Sequence, residues 1–267
     1  MLDGKISVIM PAYNEARHIV DNIREVVQTL SDLAYDYEII VVDDGSGDNT
    51  YLHAVKVLMQ HPEKVRIVRY DVNCGKGNAL ICGTTYAIGK YVVFLDADID
   101  LHPVQLPVLF EIMVAKDADV VIGSKRHPLS NVVYPPIRRL YSSVYFALVR
   151  ALFGLPLRDT QTGLKVFKMA VLRKVFPRVL VKRFAFDVEV LALAHRYGFK
   201  VVDAPVTLTF RRKYGRIKPH DIFDIVRDTF AIFYRMKMRH YYDTHEDDLP
   251  WPSNGHGVRE VLAESQH

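Results

Sequence analysis

Short apolar runs alternate with amphipathic segments through the first half of the chain. The runs at residues 6–10 and 38–42 are almost continuously apolar, which is typical of strands buried on both faces of a parallel sheet. Residues 16–30 between them carry apolar side chains at helical spacing on one face. The alternation continues with strands predicted at residues 65–70, 91–95 and 118–123 and helices predicted at residues 50–60, 78–88 and 104–116. This order predicts an α/β fold with a mostly parallel central sheet flanked by helices.

Longer helices are predicted after Gly123, where the regular alternation weakens. Residues 137–153 and 221–239 are amphipathic, and basic side chains flank their apolar faces. A further helix is predicted at residues 183–197 and a strand at residues 201–210. From Asp243 onward the chain is polar and contains two prolines and two glycines, so we expect a tail that is mobile or loosely docked.

The composition is typical of a globular protein. The chain has 267 residues, of which 49% are hydrophobic and 25% are charged, which is enough for a full core. The net charge of +4 is only mildly basic, and we do not expect nucleic acid as a partner. The two cysteines, Cys74 and Cys82, imply no disulfide framework and fit a reducing compartment.

Membrane contact is expected to be peripheral. No segment reaches the ~18–20 uncharged apolar residues that span a bilayer, and the closest, residues 143–157, contains Arg150. The first predicted strand begins at residue 6, and we expect no signal peptide before it. The amphipathic helices at residues 137–153 and 221–239 would lie on the membrane as monotopic helices do, with ordinary core packing as the alternative. We therefore expect a cytoplasmic protein on the cytoplasmic face of the membrane.

Polar clusters follow three of the predicted strands at the point where each strand ends. They occupy residues 13–15, 43–46 and 96–100. Ligands of open parallel sheets bind beyond the carboxyl ends of the strands. We therefore expect the three clusters to form one polar site.

Asp96 and Asp98 stand one residue apart directly after a buried strand. Two carboxylates so close repel each other unless they share a cation, and hard oxygen ligands suit Mg²⁺ or Mn²⁺, which also bridge diphosphate oxygens. Such an ion would neutralise charge on a departing nucleotide diphosphate. The alternative is that both aspartates cap the following helix.

Two other features at strand ends are compatible with a nucleotide site. Asp43 and Asp44 could cap the next helix or accept hydrogen bonds from a base or ribose. The turn Asn73-Cys-Gly-Lys-Gly has glycines that let the backbone approach a ligand, and Lys76 could contact a phosphate. The turn lacks the Walker spacing of a P-loop, and a plain turn is the alternative.

These motifs together resemble the family 2 glycosyltransferases with the GT-A fold, a Rossmann-like α/β fold. The resemblance covers roughly residues 5–240. It runs in order through Pro11-Ala-Tyr-Asn-Glu, Asp43-Asp-Gly-Ser, Asn73-Cys-Gly-Lys-Gly and Asp96-Ala-Asp. In the second half, Arg158-Asp-Thr-Gln-Thr-Gly-Leu-Lys-Val-Phe and Arg183-Phe-Ala-Phe-Asp-Val-Glu look like the dolichyl-phosphate β-glucosyltransferases, and more loosely like the dolichyl-phosphate mannose synthases.

The resemblance implies a domain organisation and a role for each matching residue. Residues 1–242 would form the GT-A domain, with a nucleotide-binding half over about residues 5–123, an acceptor half over about residues 124–242, and a polar tail at residues 243–267. The nucleoside would be held by Pro11, Tyr13, Glu15, Val42 and Asp44. The diphosphate and sugar would lie near Lys76, Gly77, Asp96, Ala97 and Asp98. Mg²⁺ or Mn²⁺ would be bound by Asp96 and Asp98, the latter more directly, and the catalytic residues would be Asp159, Gln161 and Asp187.

Basic residues in the second half predict an acceptor that carries a phosphate. A phosphate monoester has a second pKa near ~6 and is largely deprotonated at neutral pH, so it needs cations to hold it in line rather than a general base. The candidates are Lys125, Arg126, Arg138, Arg139, Arg212 and Lys218. The alternative for each group is a solvated basic surface.

Three hypotheses about function follow. The first is transfer of a hexose, from UDP-glucose or else GDP-mannose, to a polyprenyl or dolichyl phosphate, with inversion as the family implies. The second is transfer to a soluble or glycan hydroxyl, which would require Asp159 or Asp187 as a base. The third is a sugar-nucleotide-binding protein without catalysis, against which the presence of Lys76, Asp96 and Asp98 argues.

Overall fold

The central feature is an eight-stranded sheet, seen in a computed structural model that describes residues 3–132, 136–209, 219–243 and 259–261. The side chains of residues 136–140, 219–221 and 259–261 are not among the described parts. The strands are β1 (Ile6–Ala12), β2 (Tyr37–Asp44), β3 (Val65–Tyr70), β4 (Tyr91–Phe94), β5 (Val120–Ser124), β6 (Asn131–Val132), β7 (Lys165–Lys168), β8 (Val201–Pro205), β9 (Thr207–Leu208) and β10 (Arg259–Val261).

Helices cover both faces of the sheet. The α-helices are α1 (Ile19–Asp32), α2 (Thr50–Leu58), α3 (Lys76–Thr85), α4 (Leu106–Ala115), α5 (Pro136–Phe153), α6 (Met169–Val175), α7 (Phe186–Arg196) and α8 (Pro219–Phe233). Single 3₁₀ turns occur at Pro103–Gln105, Phe176–Arg178 and Tyr241–Asp243, and a π-helical turn at Tyr234–Met238 follows α8 directly.

The strand order in the large sheet is β10-β3-β2-β1-β4-β7-β5-β8. β1 pairs in parallel with β2 and β4, β2 with β3, and β5 with β8. β7 is antiparallel to both of its neighbours, and so is β10 to β3. β6 and β9 form a separate parallel pair.

The alternation of side chains along each strand supplies two cores. In β1, Val8 packs in the core beneath α1, α2 and α4, while Ile9 packs in the core beneath α3, α6 and α7. The same division separates Val93 from Phe94 in β4. Because successive strand side chains point to opposite faces, a strand covered on both sides must be apolar throughout, as the sequence pattern predicts.

The structure confirms the predicted α/β fold and differs from the predicted elements in several places. β7 and α6 were not predicted, because a four-residue strand with a lysine at each end lacks the signal of a buried strand. The predicted strand at 201–210 is divided into β8 and β9, and the predicted helix at 221–239 ends as a π-helical turn. In the tail, which we expected to be mobile or loosely docked, β10 pairs with the edge strand β3. The polar composition of the tail did not indicate this strand.

Phe167 in β7 is expected to be a major contributor to stability. Its side chain is fully buried, and its ring centroid lies 4.8 Å from that of Phe94. Phe167→Ala should lower the free energy of unfolding by about 3–5 kcal/mol, because it leaves a cavity in the middle of the sheet. Val114→Ala is the control, since Val114 is 69% exposed on α4 and should cost about 0.5 kcal/mol or less. Urea denaturation measures both, and equal losses would contradict the assignment of β7 to the core.

Candidate active site

The candidate site lies at the edge of the sheet where β1, β2 and β4 end. β7 begins at the same edge, because it runs antiparallel to β4 with Phe94 paired to Lys165. This register brings Asp96, just beyond β4, against Gly163, just before β7. A Cβ added to Gly163 would collide with the Asp96 carboxylate. Because β7 is antiparallel to β4, the motif residues that precede β7 lie at the same edge of the sheet as Asp96.

Lys76 and Asp96 form an ion pair of 2.5 Å between Nζ and Oδ1. Lys76 is the first residue of α3, and Gly75 before it has a φ of +96°, which favours glycine. Burial alone would raise the pKa of Asp96, but Lys76, with Lys165 and Lys125 nearby, holds that pKa below its usual value. Burial alone would lower the pKa of Lys76, but Asp96 and neighbouring carboxylates hold it above its usual value. Both groups are therefore ionised at neutral pH.

Neither Asp96 nor Asp98 caps the helix that follows. The next helical turn, Pro103–Gln105, is capped by the side chain of His102. The Oδ1 of Asp98 accepts a hydrogen bond of 3.3 Å from the amide of Asp100, within the turn beyond β4. The helix-cap alternative for this pair is therefore wrong, and both aspartates stay at the sheet edge.

Asp44 fixes the loop that precedes α3. Its carboxylate accepts hydrogen bonds from the Asn73 side chain at 3.0 Å and from the amides of Cys74 at 2.8 Å and Gly75 at 3.0 Å. Burial raises the pKa of Asp44, and the amide donors act in the opposite sense. The first amide of α2 is bonded by Asp48 instead, so the helix-cap alternative is wrong for Asp44 as well. Asp44 thus links the end of β2 to the turn that presents the lysine of the Gly-Lys-Gly motif.

A cavity of about 160 Å³ opens at the edge of the sheet beyond β4. Asp96, Asp98 and Asp100 line it together with Lys125 and Gln161. The lining therefore combines carboxylates that suit a hard cation with an ammonium group that suits an anion.

Asp159 connects the end of β5 to the turn before β7. Its Oδ2 accepts a 3.2 Å hydrogen bond from the amide of Lys125 and lies 3.7 Å from the Lys125 Nζ. Its Oδ1 accepts a 2.9 Å hydrogen bond from the amide of Gln161. The Lys125 Nζ also donates to the carbonyl of Gln161 at 3.1 Å. Asp159 is buried, so this network holds Lys125 in place at the cavity wall.

Lys165 is a buried charge that the sequence motifs did not single out. It is 1% exposed, its Nζ lies 3.0 Å from Oδ1 of Asp187, and it donates to the carbonyl of Thr162. Desolvation lowers the pKa of Lys165, although Asp187 acts against the shift. Asp187 lies in the first turn of α7 and is buried as well. The sequence offered one indication that this lysine is buried, because it stands between apolar residues in the Thr-Gly-Leu-Lys-Val-Phe motif.

The predicted nucleoside residues divide into exposed and buried positions. Tyr13 is exposed beyond β1, whereas Glu15 is buried and its amide donates to the Thr50 hydroxyl at 2.7 Å. Pro11 and Val42 are paired in the register of β1 and β2. The side chain of Val42 is fully buried in the core, so Val42 can influence a ligand only by shaping the strand end.

Gly77 and Ala97 act through close packing and the backbone. A Cβ added to Gly77 would collide with the ring of Phe186, so glycine lets α3 pack directly against α7. The carbonyl of Ala97 accepts a 2.7 Å hydrogen bond from the Asn22 side chain on α1. Both residues therefore fix the position of the flanking Lys76 and Asp96.

Of the predicted acceptor-phosphate residues, Lys125 and Arg126 are described in full. The guanidinium of Arg126 donates to the hydroxyls of Ser142 and Ser143, each at 3.0 Å, and lies 5.0 Å from the ring centroid of Phe146. Arg126 is therefore held against α5. The side chains of Arg138 and Arg139, and the whole of Arg212 and Lys218, lie outside the described residues.

The donor set at the sheet edge fits a metal ion that shares its ligands with a substrate. Within the described residues, no group of three or more His, Cys, Asp or Glu side chains could enclose a metal. Mg²⁺ typically keeps several waters and uses only one or two carboxylates together with substrate phosphates. Asp96 and Asp98, which line one cavity, supply that number of hard oxygen ligands.

A mostly parallel sheet with an acidic, lysine-containing cleft at the carboxyl ends of its parallel strands is typical of nucleotide-sugar enzymes of the GT-A type. The family model described as Glycosyl transferase family 2 matches residues 7–176, which is more than half of the chain. The chain therefore belongs to glycosyltransferase family 2.

Several curated relatives are dolichyl-phosphate beta-glucosyltransferases. That of Dictyostelium discoideum is 30% identical over 216 residues, which cover 76% of this chain and 66% of the relative. That of Drosophila melanogaster is 32% identical over 221 residues, covering 77% and 67%. The glycosyltransferase AglD of Haloferax volcanii is 33% identical over 204 residues, covering 76% and 32%. The chain thus spans about two thirds of the length of the first two relatives and about one third of the last.

Solved structures with the same fold include glucosyl-3-phosphoglycerate synthase from Mycobacterium tuberculosis. Its complex with Mn²⁺, UDP-glucose and phosphoglyceric acid has a TM-score of 0.63 and 23% identity, covering 87% of this chain and 79% of that one. Its complex with Mg²⁺ and UDP has a TM-score of 0.62 and 22% identity, with the same coverage. This similarity confirms the GT-A fold that the motifs predict.

Lys165→Met is expected to destabilise the protein strongly. It would leave the Asp187 carboxylate buried without its cation, which costs about 3–5 kcal/mol of unfolding free energy. Lys168→Met in the same strand is the control. Lys168 is 35% exposed and pairs with Asp119 at 2.9 Å, so its loss should cost about 1 kcal/mol or less. Urea denaturation of the two variants measures the difference, and similar losses would show that the Lys165 pair contributes no more than a surface pair.

Proposed function

We propose that the protein transfers glucose from UDP-glucose to a dolichyl or other polyprenyl phosphate at a membrane surface. Membership of glycosyltransferase family 2 supports sugar transfer from a nucleotide donor. The names of the curated relatives support glucose and dolichyl phosphate over the alternatives, so GDP-mannose is the less favoured donor.

The observation that carries the acceptor assignment is the pairing of both candidate bases with lysine. Asp159 lies 3.7 Å from Lys125, and Asp187 lies 3.0 Å from Lys165. A hydroxyl acceptor needs a general base with an oxygen within hydrogen-bond reach of its proton. Here the two oxygens of Asp159 already accept from the amides of Lys125 and Gln161, and Oδ1 of Asp187 lies against the Lys165 ammonium, so both carboxylates are engaged in contacts within the protein. A phosphate acceptor arrives already ionised and needs no base. The pairing therefore favours phosphate over hydroxyl.

On the acceptor side, Lys125 and Arg126 are the predicted phosphate-binding residues whose side chains the structure describes. Lys125 lines the cavity that also contains Asp98, so a phosphate bound to it would be close to the donor diphosphate. Holding the nucleophile in line with the anomeric carbon is the main requirement of a direct displacement, which inverts the anomeric centre. Arg138, Arg139, Arg212 and Lys218 are proposed to complete the phosphate site.

On the donor side, Tyr13, Glu15 and Asp44 would surround the nucleoside. Asp96 and Asp98 would hold Mg²⁺ or Mn²⁺, Asp98 more directly because Oδ1 of Asp96 is paired with Lys76. The bound ion would supply neutralising charge to the diphosphate leaving group. Pro11 and Val42, at the ends of β1 and β2, are proposed to complete the nucleoside site. The residues proposed to lie around the sugar and diphosphate are Lys76, Gly77, Ala97, Asp159, Gln161 and Asp187.

The membrane contact is proposed to involve α5 and α8. These helices pack side by side through Tyr145 and Thr229, whose hydroxyls lie 2.9 Å apart. Large apolar side chains are exposed along them, namely Tyr141, Val144, Ile222, Phe223 and Phe230. Within the described residues, no helix is both long enough and apolar enough to cross a bilayer. An exposed apolar face next to a site for a lipid phosphate supports peripheral binding, proposed here at the cytoplasmic face.

Transfer of labelled sugar is the direct test. With UDP-[¹⁴C]glucose, dolichyl phosphate and Mn²⁺, the label should enter a product that is extracted into organic solvent. Chelation with EDTA should abolish transfer, and Mn²⁺ or Mg²⁺ should restore it, because the diphosphate loses its counter-ion. Label that appears only on water-soluble acceptors would overturn the lipid assignment, and undiminished transfer in EDTA would overturn the metal assignment.

Gly163→Ala should impair transfer while leaving the fold intact. The new methyl group would displace the Asp96 carboxylate, and a misplacement of about 1 Å at a reacting site typically costs about 100-fold in rate. Gly47→Ala is the matched control, because a Cβ at Gly47 meets no atom within 4 Å. Transfer rates and melting temperatures of both variants should be compared. Equal rates in the two variants would show that the contact with Asp96 is not needed for turnover.

A further inference from the structure

Glu189 is a buried carboxylate that none of the proposed catalytic steps uses. It lies on α7, its side chain is fully buried, and its two oxygens serve different parts of the chain. Oε2 accepts hydrogen bonds from the amides of Leu180 at 3.0 Å and Val181 at 2.7 Å. Oε1 accepts a 2.5 Å hydrogen bond from the Tyr242 hydroxyl and lies 3.4 Å from a guanidinium nitrogen of Arg235. One carboxylate therefore joins the loop before α7 to the segment that follows α8.

The loop bonded by Oε2 packs directly on the first turn of α3. The carbonyl of Lys182 accepts a 3.2 Å hydrogen bond from the amide of Asn78. A Cβ added to Gly75 would lie 2.7 Å from the same carbonyl, and a Cβ on Gly77 would collide with Phe186. Both glycines of the Gly-Lys-Gly turn are therefore in close contact with this loop and the start of α7. The position of Lys76 between them depends on where the loop lies.

The segment bonded by Oε1 is the end of the C-terminal helix. Arg235 lies in the π-helical turn Tyr234–Met238, and Tyr242 lies in the 3₁₀ turn Tyr241–Asp243. The Nε of Arg235 also donates to the Tyr242 hydroxyl at 2.9 Å, so the two side chains approach Glu189 together. Tyr242 is almost completely buried. Single π-helical turns within helices are frequently found at functional positions.

Burial raises the pKa of Glu189, and Tyr242, the Val181 amide and Arg235 act against that rise. A buried carboxylate with donors on both oxygens is costly to leave partly satisfied, because an unmatched buried charge has no water to replace the lost donor. Loss of the donors on Oε1 should therefore disturb those on Oε2. A change at residues 235–242 would therefore alter the hydrogen bonds that hold the loop at residues 180–181.

We infer that Glu189 is a positioning residue for the nucleotide-sugar site, through which docking of residues 234–243 sets the position of the Gly-Lys-Gly turn. The inference rests on the proposed function for the identity of the ligand. It predicts that weakening the contact at Tyr242, far along the chain from Lys76, weakens donor binding.

The test compares Tyr242→Phe and Glu189→Gln with Arg196→Gln. Arg196 makes a two-nitrogen contact of 2.5 to 2.8 Å with Oδ1 of Asp243, so it holds the same 3₁₀ turn against α7 without touching Glu189. Calorimetry with UDP-glucose and Mn²⁺ measures the dissociation constant, and hydrogen exchange reports the amides of residues 76–79. The first two variants should weaken UDP-glucose binding by about fivefold or more and speed exchange at those amides, whereas Arg196→Gln should do neither.

Each other outcome has a defined meaning. If Tyr242→Phe lowers the melting temperature but leaves both the dissociation constant and the exchange of residues 76–79 unchanged, Glu189 has only a structural role and the inference is overturned. An equal effect of Arg196→Gln would also overturn it, because docking would then act without Glu189. If the wild-type protein binds no UDP-glucose, the proposed donor is wrong, and the exchange measurement alone decides the inference. If Glu189→Gln does not fold, the conservative Tyr242→Phe decides it.

Discussion

The ion pair between Lys76 and Asp96 is the contact on which the geometry of the site depends. It joins the start of α3 to the end of β4 at 2.5 Å. The positions packed around the two partners are glycines: Gly75 admits the loop before α7, Gly77 admits the ring of Phe186 at the start of α7, and Gly163 admits the Asp96 carboxylate. A methyl group in place of any of these hydrogens would force the atoms that contact it to shift. The geometry of the site therefore depends on these glycines as much as on the charged residues.

The first half of the fold could be predicted from sequence because its signals are local. Strands such as β1 and β2 are apolar on both faces, and helices such as α1 show a clear apolar stripe, so periodicity alone distinguishes them. The edge at which Asp44 and Asp96 meet followed from the parallel order of the strands. Their competing interpretation as helix caps could be rejected only with the structure, which shows Asp48 and His102 in those roles.

The second half was harder to predict because its decisive contacts are non-local. β7 enters the middle of the sheet against the direction of its neighbours, and its first residue, Lys165, is charged yet buried. Periodicity treats such a lysine as a surface residue, since the partner that makes burial tolerable, Asp187, lies on another element. Glu189 presents the same difficulty, because its donors come from residues 180–181 and 235–242. A sequence motif can include these residues, but only the structure shows which partners each one contacts.

The charges around the cavity also bear on why a divalent cation is expected. Three lysines pair with carboxylates here: Lys76 with Asp96, Lys125 with Asp159, and Lys165 with Asp187. Each of these pairs combines one positive and one negative charge, and Asp98 and Asp100 also line the cavity. A nucleotide diphosphate and an ionised phosphate acceptor would bring further negative charge to the same place. Like charges so close repel strongly in a partly buried site. Under the proposed function, a cation held near Asp98 and the guanidinium groups beyond Lys125 would offset that repulsion, which the neutral pairs alone would not.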